Sequence, residues 1–399
     1  MSRGTRRMTL AAWVTVAVLL GRAQLGAQAG PAAIGTAQRG YVEWEVQNQR
    51  DLRGAVQSIW FDAEHGVAYL ATLASLYKVR DGKAERIAEP PAPGAQIQLA
   101  PGGKVYAWLI PEERAQGMYL VRLMDTAGGQ LAELKPSEPP YGAGALILGF
   151  EGKLIVTVTP LDDWQGVHGR FRHTFWSRDG RELGKVITPE REIPVAGADG
   201  GSLLLLGDQQ ATAYSEEGKL LWRADGRFRK GAIARRGTVA LLNPASREAI
   251  DQVHVFTGSD RPAVVKMPTP VHHLRLAPDG STAVVGGDRG RYFFLDPASG
   301  RVTEGAPLPF KAGLFLSDLQ LLDRDTLAIG LLQRQGDPPR HTWPRGDVVV
   351  VTRSGKILFR TEYPIREPLA SRPAVGATFG APVVIAFTLD TTALIKLGR

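Results

Sequence analysis

Cysteine does not occur among the 399 residues of this chain. That single absence excludes disulfides, thiolate metal sites, a cysteine nucleophile and a lipid-modified N-terminal cysteine. Reaction signatures are missing as well: there is no G-x-S-x-G elbow, no HExxH, no phosphate-binding loop and no dinucleotide fingerprint. The histidines, at 65, 168, 173, 254, 272, 273 and 341, show no metal-ligand spacing. Neither a cofactor nor a metal is expected. Long apolar runs are lacking too. A membrane-spanning helix needs ~20 apolar residues, and the N-terminal run MTLAAWVTVAVLLG has 14. No later run is long enough to cross, and helical periodicity is absent beyond that first one.

What the chain does contain begins with an export signal. MSRGTRR is a basic leader to the apolar run, and Ala27-Gln28-Ala29 offers a small-x-small cleavage site. Residues 1–29 read as a signal peptide, 30–40 as a short linker and 41–399 as one folded domain, placed in the periplasm or outside the cell. Arg6-Arg7 followed by Leu10 also fits a twin-arginine signal, which leaves the export route open. The signal carries Arg3, Arg6, Arg7 and Arg22 and no acid. Its removal leaves 44 basic against 40 acidic side chains, a net of +4 instead of +8. So small and evenly spread a charge gives no footprint for nucleic acid. With 44% apolar residues the chain can supply a core without disulfides.

The 46 glycines and 27 prolines fall between short apolar runs, as in a fold of many strands joined by tight turns. The turns repeat. One kind appears eight times, at 63–66, 101–103, 151–152, 199–201, 235–237, 278–280, 323–325 and 379–381. Each precedes a run such as VAYLAT (67–72), SLLLLGD (202–208) or TLAIGLL (326–332), apolar on both faces and hence suited to a strand covered on both sides. A second kind, including RDGK (80–83), EEGK (216–219) and RSGK (353–356), appears seven times. The eighth is missing where the chain ends, and an unassigned run, YVEWEVQ (41–47), precedes the first unit. Ring closure explains both: the N-terminal run completes the last unit and no edge is left exposed. Units of about 46 residues with four strands each predict an all-β, single β-propeller of eight blades, or seven if units three and four share an irregular blade.

LRLAPDGSTAVVGG (274–287) and GRYFFLDPASGRV (290–302) resemble the repeat of bacterial WD40-like and YVTN-type propellers. AYSEEGKLLW (213–222) is similar to the repeat of PQQ-like propellers, with Ala213, Gly218, Lys219 and Trp222 matching and Ser215 where an aspartate is usual. The resemblance spans roughly residues 41 to 399 as a pattern. It implies a propeller and brings in a quinone-dependent dehydrogenase as one reading, which the lack of the vicinal disulfide common in that family places last.

Alternating strand directions put the second-to-third loops and the inter-blade connections on one face. Four of those loops are long: 111–117, 160–172, 244–250 and 333–347. Long loops on a rigid scaffold commonly carry binding residues. The candidate ligand-binding residues are therefore Asp162, Asp163, Trp164, His168, Arg170 and Arg172 in unit three, with Arg340, His341, Trp343 and Arg345 in unit seven. Tryptophan beside arginine, histidine and acids suits a planar or carbohydrate-like ligand, or a peptide hot spot. The function expected is a non-enzymatic exported monomer binding a protein, a peptide or an envelope glycan. The rival is a glycoside hydrolase, lyase or lactonase drawing on Asp162, Asp163 and Asp337. The pair His272–His273 lies on a first strand, where neighbours point to opposite sides, and is expected to be structural.

Overall fold

In the computed structural model, residues 40–398 are described apart from 53–55, 63–64, 113–117, 163–167, 259–260, 309–313, 336–341, 365–373, 378 and 389–390; the side chains of 168, 314, 334, 335, 342–344, 363 and 364 are likewise outside the description. Thirty-two strands form eight four-stranded sheets, each antiparallel throughout. Seven sheets take their strands in simple chain order. The first strands are Ser58–Asp62, Gln96–Leu99, Ala145–Leu148, Ile193–Ala196, Phe228–Ala234, His273–Leu276 and Leu314–Leu321 for blades one to seven. Blade eight runs outward from Ala374–Ala377 through Val383–Phe387 and Thr391–Leu397 to the N-terminal strand Gly40–Gln47. Units three and four are separate blades, so the count is eight.

Closure is antiparallel, from Gly40 opposite Leu397 to Gln47 opposite Thr391, with one irregularity between Val42 and Trp44. Just beyond it lies a single helical turn, Asn48–Asp51. Asn48 is fully buried there: its amide donates to the Thr388 carbonyl at 3.1 Å and its oxygen accepts from the Thr392 hydroxyl at 2.8 Å. A buried amide bonded on both sides fixes register strongly, because losing one partner strands the other in a dry seam. The two ends of the chain are thus locked by polar as well as apolar contact.

The strand pattern follows burial. Second strands such as Ser202–Leu206, Val239–Pro244 and Ala283–Gly286 are buried at every position, which is why they read as unbroken apolar runs. The outer strand Lys83–Ala88 has no buried position, and its charged residues Lys83, Glu85 and Arg86 are exposed. The core divides into eight clusters, one in each seam between neighbouring blades, so each sheet is apolar on both faces. Trp44 and Val46 of the closing strand enter the seam between blades eight and one, beside Phe61, Leu70 and Val79. Burying such a side chain contributes roughly 1.5–3 kcal/mol. Trp222, the residue matched to the PQQ-like repeat, ties blade four to blade five. Its indole N–H donates to the Gly237 carbonyl at 2.7 Å, and its ring stacks on Phe256 at 5.0 Å with 5° between planes.

Two of the long loops are shorter than the sequence suggests. Strand His168–Trp176 absorbs 168–172, and strands Thr326–Gln335 and Thr342–Thr352 absorb both ends of 333–347. These segments are two hairpin arms whose strands continue past the blade. The sequence of these segments lacks the apolar alternation by which a strand is recognised, so it reads as a loop although the backbone ladder continues.

Candidate functional site

The two faces of the ring are built differently. On one face, the turns between first and second strands are pinned to their neighbours. A Cβ added to Gly103 would lie 1.7 Å from Trp60 Cδ1, and one on Gly200 would lie 2.9 Å from the Phe150 backbone. Trp60 also meets the Phe150 ring edge-on at 5.7 Å. Further round, the Arg236 N–H donates to Asp199 at 2.6 Å, Arg324 pairs with Asp279 at 2.7 Å, and the Gly380 N–H donates to the Leu322 carbonyl at 2.6 Å. With Gly102 against Glu151 and Gly280 against Arg235, contacts join each blade to the next from one to eight. This face is a belt in which the first-to-second turns of neighbouring blades contact one another from blade one to blade eight.

The opposite face carries the second-to-third loops and the inter-blade connections, and large apolar side chains stand out from it. Leu73 (48% exposed) lies in the loop of blade one, Tyr141 (59%) in the connection from blade two to three, and Ile193 (47%) and Phe315 (41%) near the starts of first strands. The other exposed large apolar residues among the described ones, Tyr41, Ile187, Leu220, Leu221 and Val264, are on outer strands. Leu73, Ala74 and the run from Pro90 to Gln96 line a shallow groove of about 610 Å³ on the loop face. Prolines there have no N–H to leave unsatisfied, so the connection can present apolar surface without a stranded donor.

The arm of blade three is fastened at its base. Asp162 accepts from the Arg170 N–H at 2.8 Å and from its guanidinium at 2.8 Å. The Arg170 hydrogen bond holds the Asp162 carboxyl below the usual range, which suits an ionised clasp and not a proton donor. Arg172 is buried instead of presented to solvent, and donates to the Pro139 and Pro140 carbonyls at 3.2 and 2.6 Å. The arm of blade seven has a similar clasp. Asp347 is fully buried and accepts from Gln333 and, at 3.1 Å, from Arg360, which also reaches Glu362 at 2.8 Å; Arg345, exposed, lies 3.5 Å from Glu362. His168 and Trp343 are placed by backbone only, His168 opposite Glu190 and Trp343 within Thr342–Thr352. Asp163, Trp164, Asp337, Arg340 and His341 lie outside the described residues. Blades three and seven are four steps apart in a ring of eight. The arms therefore rise from opposite sides of the axis, on the same face.

One polar cluster escaped sequence reasoning. In the seam of blades three and four, His173 and Glu192 are both buried, with His173 Nε2 3.9 Å from Glu192 Oε2 and 3.3 Å from the Thr188 hydroxyl. The His173 Nδ1 and Glu192 Oε2 atoms have no hydrogen-bond partner. Burial lowers the His173 imidazolium to about 4, and burial with the nearby Glu190 charge raises the Glu192 carboxyl to about 7. Glu192 sits in the connection TPEREIP, where an acid looks like ordinary loop polarity; only the packing of the seam takes it out of water. His272 and His273 turn to different partners, His272 to the Asp288 carboxylate and His273 to the Leu316 carbonyl at 3.1 Å. Among the described residues no group of three or more histidines, aspartates and glutamates could hold a metal ion, and no helix is long and apolar enough to cross a membrane.

No family model and no curated protein matches the sequence. The fold does have solved counterparts. The C-terminal WD40 domain of Sif2 aligns with a TM-score of 0.58 and 10% identity, over 90% of this chain and 100% of that one. BamB from Moraxella catarrhalis aligns with a TM-score of 0.53 and 12% identity, over 90% of this chain and 99% of that one. The repeat-level resemblance to WD40-like and PQQ-like propellers thus has its counterpart in three dimensions, and the chain is an eight-bladed β-propeller closed by its N-terminal strand.

Proposed function

We propose that this chain is an exported propeller, with residues 1–29 as its signal and 41–399 as its ring, that binds a protein partner through the loop-bearing face. The observation that carries the reading is the placement of Leu73, Tyr141, Ile193 and Phe315, exposed on one face while the turns of the other are engaged in the belt. Apolar anchors surrounded by polar arms match the anatomy of a protein interface, in which a few large side chains supply most of the affinity. The clasped arms of blades three and seven, carrying Asp162, Arg170 and Arg345, stand on the same face as those anchors. The WD40 and BamB likenesses support a binding scaffold by analogy of fold.

The test is an affinity capture from the cell-envelope fraction with three proteins: wild type, a loop-face variant (Leu73→Ser, Tyr141→Ser, Phe315→Ser) and an outer-strand variant (Leu220→Ser, Val264→Ser). A partner held by wild type and the outer-strand variant, and weakened roughly tenfold or more by the loop-face variant, is the expected result. A partner lost only with the outer-strand changes would assign binding to the rim of the ring and overturn the reading.

A further inference from the structure

The chain contains five Asp-Gly pairs, at 81–82, 179–180, 199–200, 225–226 and 279–280. Such a pair can cyclise, because glycine has no side chain to shield its nitrogen from the preceding carboxyl. The reaction needs both groups free to meet, and four of the five pairs are tied. Gly180, Gly200, Gly226 and Gly280 donate their N–H groups to the carbonyls of Ser177, Gly197, Gln209 and Ala277 at 3.0, 2.9, 2.8 and 2.8 Å. Three of the carboxyls are engaged as well. Asp179 accepts from the Ser177 hydroxyl, Asp199 from the Gly201 and Arg236 N–H groups at 3.3 and 2.6 Å, and Asp279 from the Ser281 hydroxyl and Arg324, both at 2.7 Å. Asp225 is held in the ladder of blade four, opposite Gln210.

The fifth pair is built differently. Arg80 lies opposite Lys83, so Asp81 and Gly82 are the whole loop between the third and fourth strands of blade one. Both have a positive φ, 50° and 73°, as in the two-residue hairpin turn that favours Asp-Gly. The bond that closes such a turn comes from the residue after the glycine, which leaves the glycine N–H unused. Among the described residues the Gly82 N–H and the Asp81 carboxyl make no hydrogen bond, and Asp81 is exposed. Arg178-Asp179-Gly180 has the same three residues as Arg80-Asp81-Gly82, yet its longer turn pins Gly180 to Ser177. Turn geometry, not composition, separates the two. A Cβ added to Gly82 would lie 3.3 Å from the Trp44 Cβ, so the free pair abuts the closing strand Gly40–Gln47.

We propose that Asp81-Gly82 is a self-modification site, where the folded chain converts its backbone to isoaspartate, and that the product loosens the closure of the ring. The Gly82 nitrogen attacks the Asp81 side-chain carboxyl carbon. A carbon–nitrogen bond forms, a carbon–oxygen bond breaks, and the amide hydrogen leaves with the oxygen as water. Water then adds to the cyclic imide at one of its two carbonyls. Opening at the side-chain carbonyl restores aspartate. Opening at the main-chain carbonyl sends the chain through the former side chain, with one extra methylene and a free carboxylate. A two-residue turn has no slack for that methylene, so Gly82 shifts against Trp44, which packs in the seam between blades eight and one.

The experiment ages the whole protein at neutral pH in oxygen-18 water and maps its peptides by mass spectrometry. Each imide hydrolysis puts one heavy oxygen into the product, and fragmentation distinguishes isoaspartate from aspartate at every pair. A hydrogen bond that must open first slows cyclisation roughly fivefold. Asp81-Gly82 should therefore react at least roughly fivefold faster than any of the four tied pairs. In guanidinium chloride, where no turn survives, the five rates should draw together. A tied pair that keeps pace with Asp81 in the folded protein, or a lead of Asp81 that persists in the unfolded chain, would overturn the assignment. The second measurement is amide exchange in aged protein. Asp81→Glu keeps the charge and cannot form the five-membered imide. Exchange in Gly40–Gln47 should be faster in aged wild type than in aged Asp81→Glu, and equal before ageing. Equal exchange after ageing, with isoaspartate present at 81, would overturn the link to ring closure.

Discussion

Replacing Glu192 by glutamine should turn a pH-insensitive seam into an acid-labile one. In the folded chain His173 titrates at about 4 instead of 6.5, and Glu192 at about 7 instead of 4.5. Between 4.5 and 6.5 the unfolded pair carries one proton, on the histidine, and the folded pair also carries one, on the carboxyl. Folding then neither takes up nor releases a proton, and the pair gives no slope of stability against pH. Glu192→Gln leaves His173 alone with a depressed value. Its contribution is full above 6.5 and is lost as pH falls toward 4, which at ~1.36 kcal/mol per unit reaches about 2 kcal/mol at pH 5. His173→Gln leaves Glu192 alone with a raised value. That contribution is full below 4.5 and is lost as pH rises through 7, about 2 kcal/mol between pH 5 and pH 7. Urea unfolding of the three proteins at four values from about pH 5 to pH 8, read as differences from wild type, measures both slopes. The expected slopes are opposite in sign. If both variants track wild type to within about 0.5 kcal/mol across that range, the two groups are not buried as neutral species and the reasoning fails.

Two further outcomes follow from the belt and the closure. Gly103→Ala should destabilise the ring by more than about 3 kcal/mol, because its Cβ would enter the Trp60 ring at a positive φ, while Gly258→Ala, with a positive φ and open space, should cost about 1 kcal/mol; thermal unfolding separates them, and equal costs would mean Trp60 gives way freely. Asn48→Ala should lower stability by about 2 kcal/mol and raise amide exchange in Thr391–Leu397 ahead of other blades, since it leaves the Thr392 hydroxyl without its acceptor; uniform exchange across all blades would show that closure is held by Trp44 and Val46 alone.

Much of this architecture was legible in the residues. All eight first-to-second turns, among them Pro278-Asp279-Gly280 and Arg235-Arg236-Gly237, fall between the strands they were expected to join, because a tight reversal needs the glycine conformations seen at Gly280 and Gly237. Ring closure was readable as a count: seven third-to-fourth turns and one spare strand, which is Gly40–Gln47 beside Thr391–Leu397. The arms were less legible. His168–Trp176 and Thr342–Thr352 run on past their blades as ladders, and an arm outside the seams lacks the apolar alternation by which a strand is recognised.

By itself the sequence determined the repeat and the face on which the long connections stand, and narrowed the units to eight or seven, because turn chemistry and apolar runs are local and each unit states them again; the separate sheets of units three and four settled the count at eight. Only the tertiary structure decided which polar groups meet. Arg172 and Arg170 are two residues apart, yet one is sealed against proline carbonyls and the other clasps Asp162 in water. His173 and Glu192 are brought together by a seam, and Arg275 and Asp318 by the curvature that sets first strands side by side around an axis. Desolvation and charge pairing depend on distances across the ring, and no pattern within one blade encodes them.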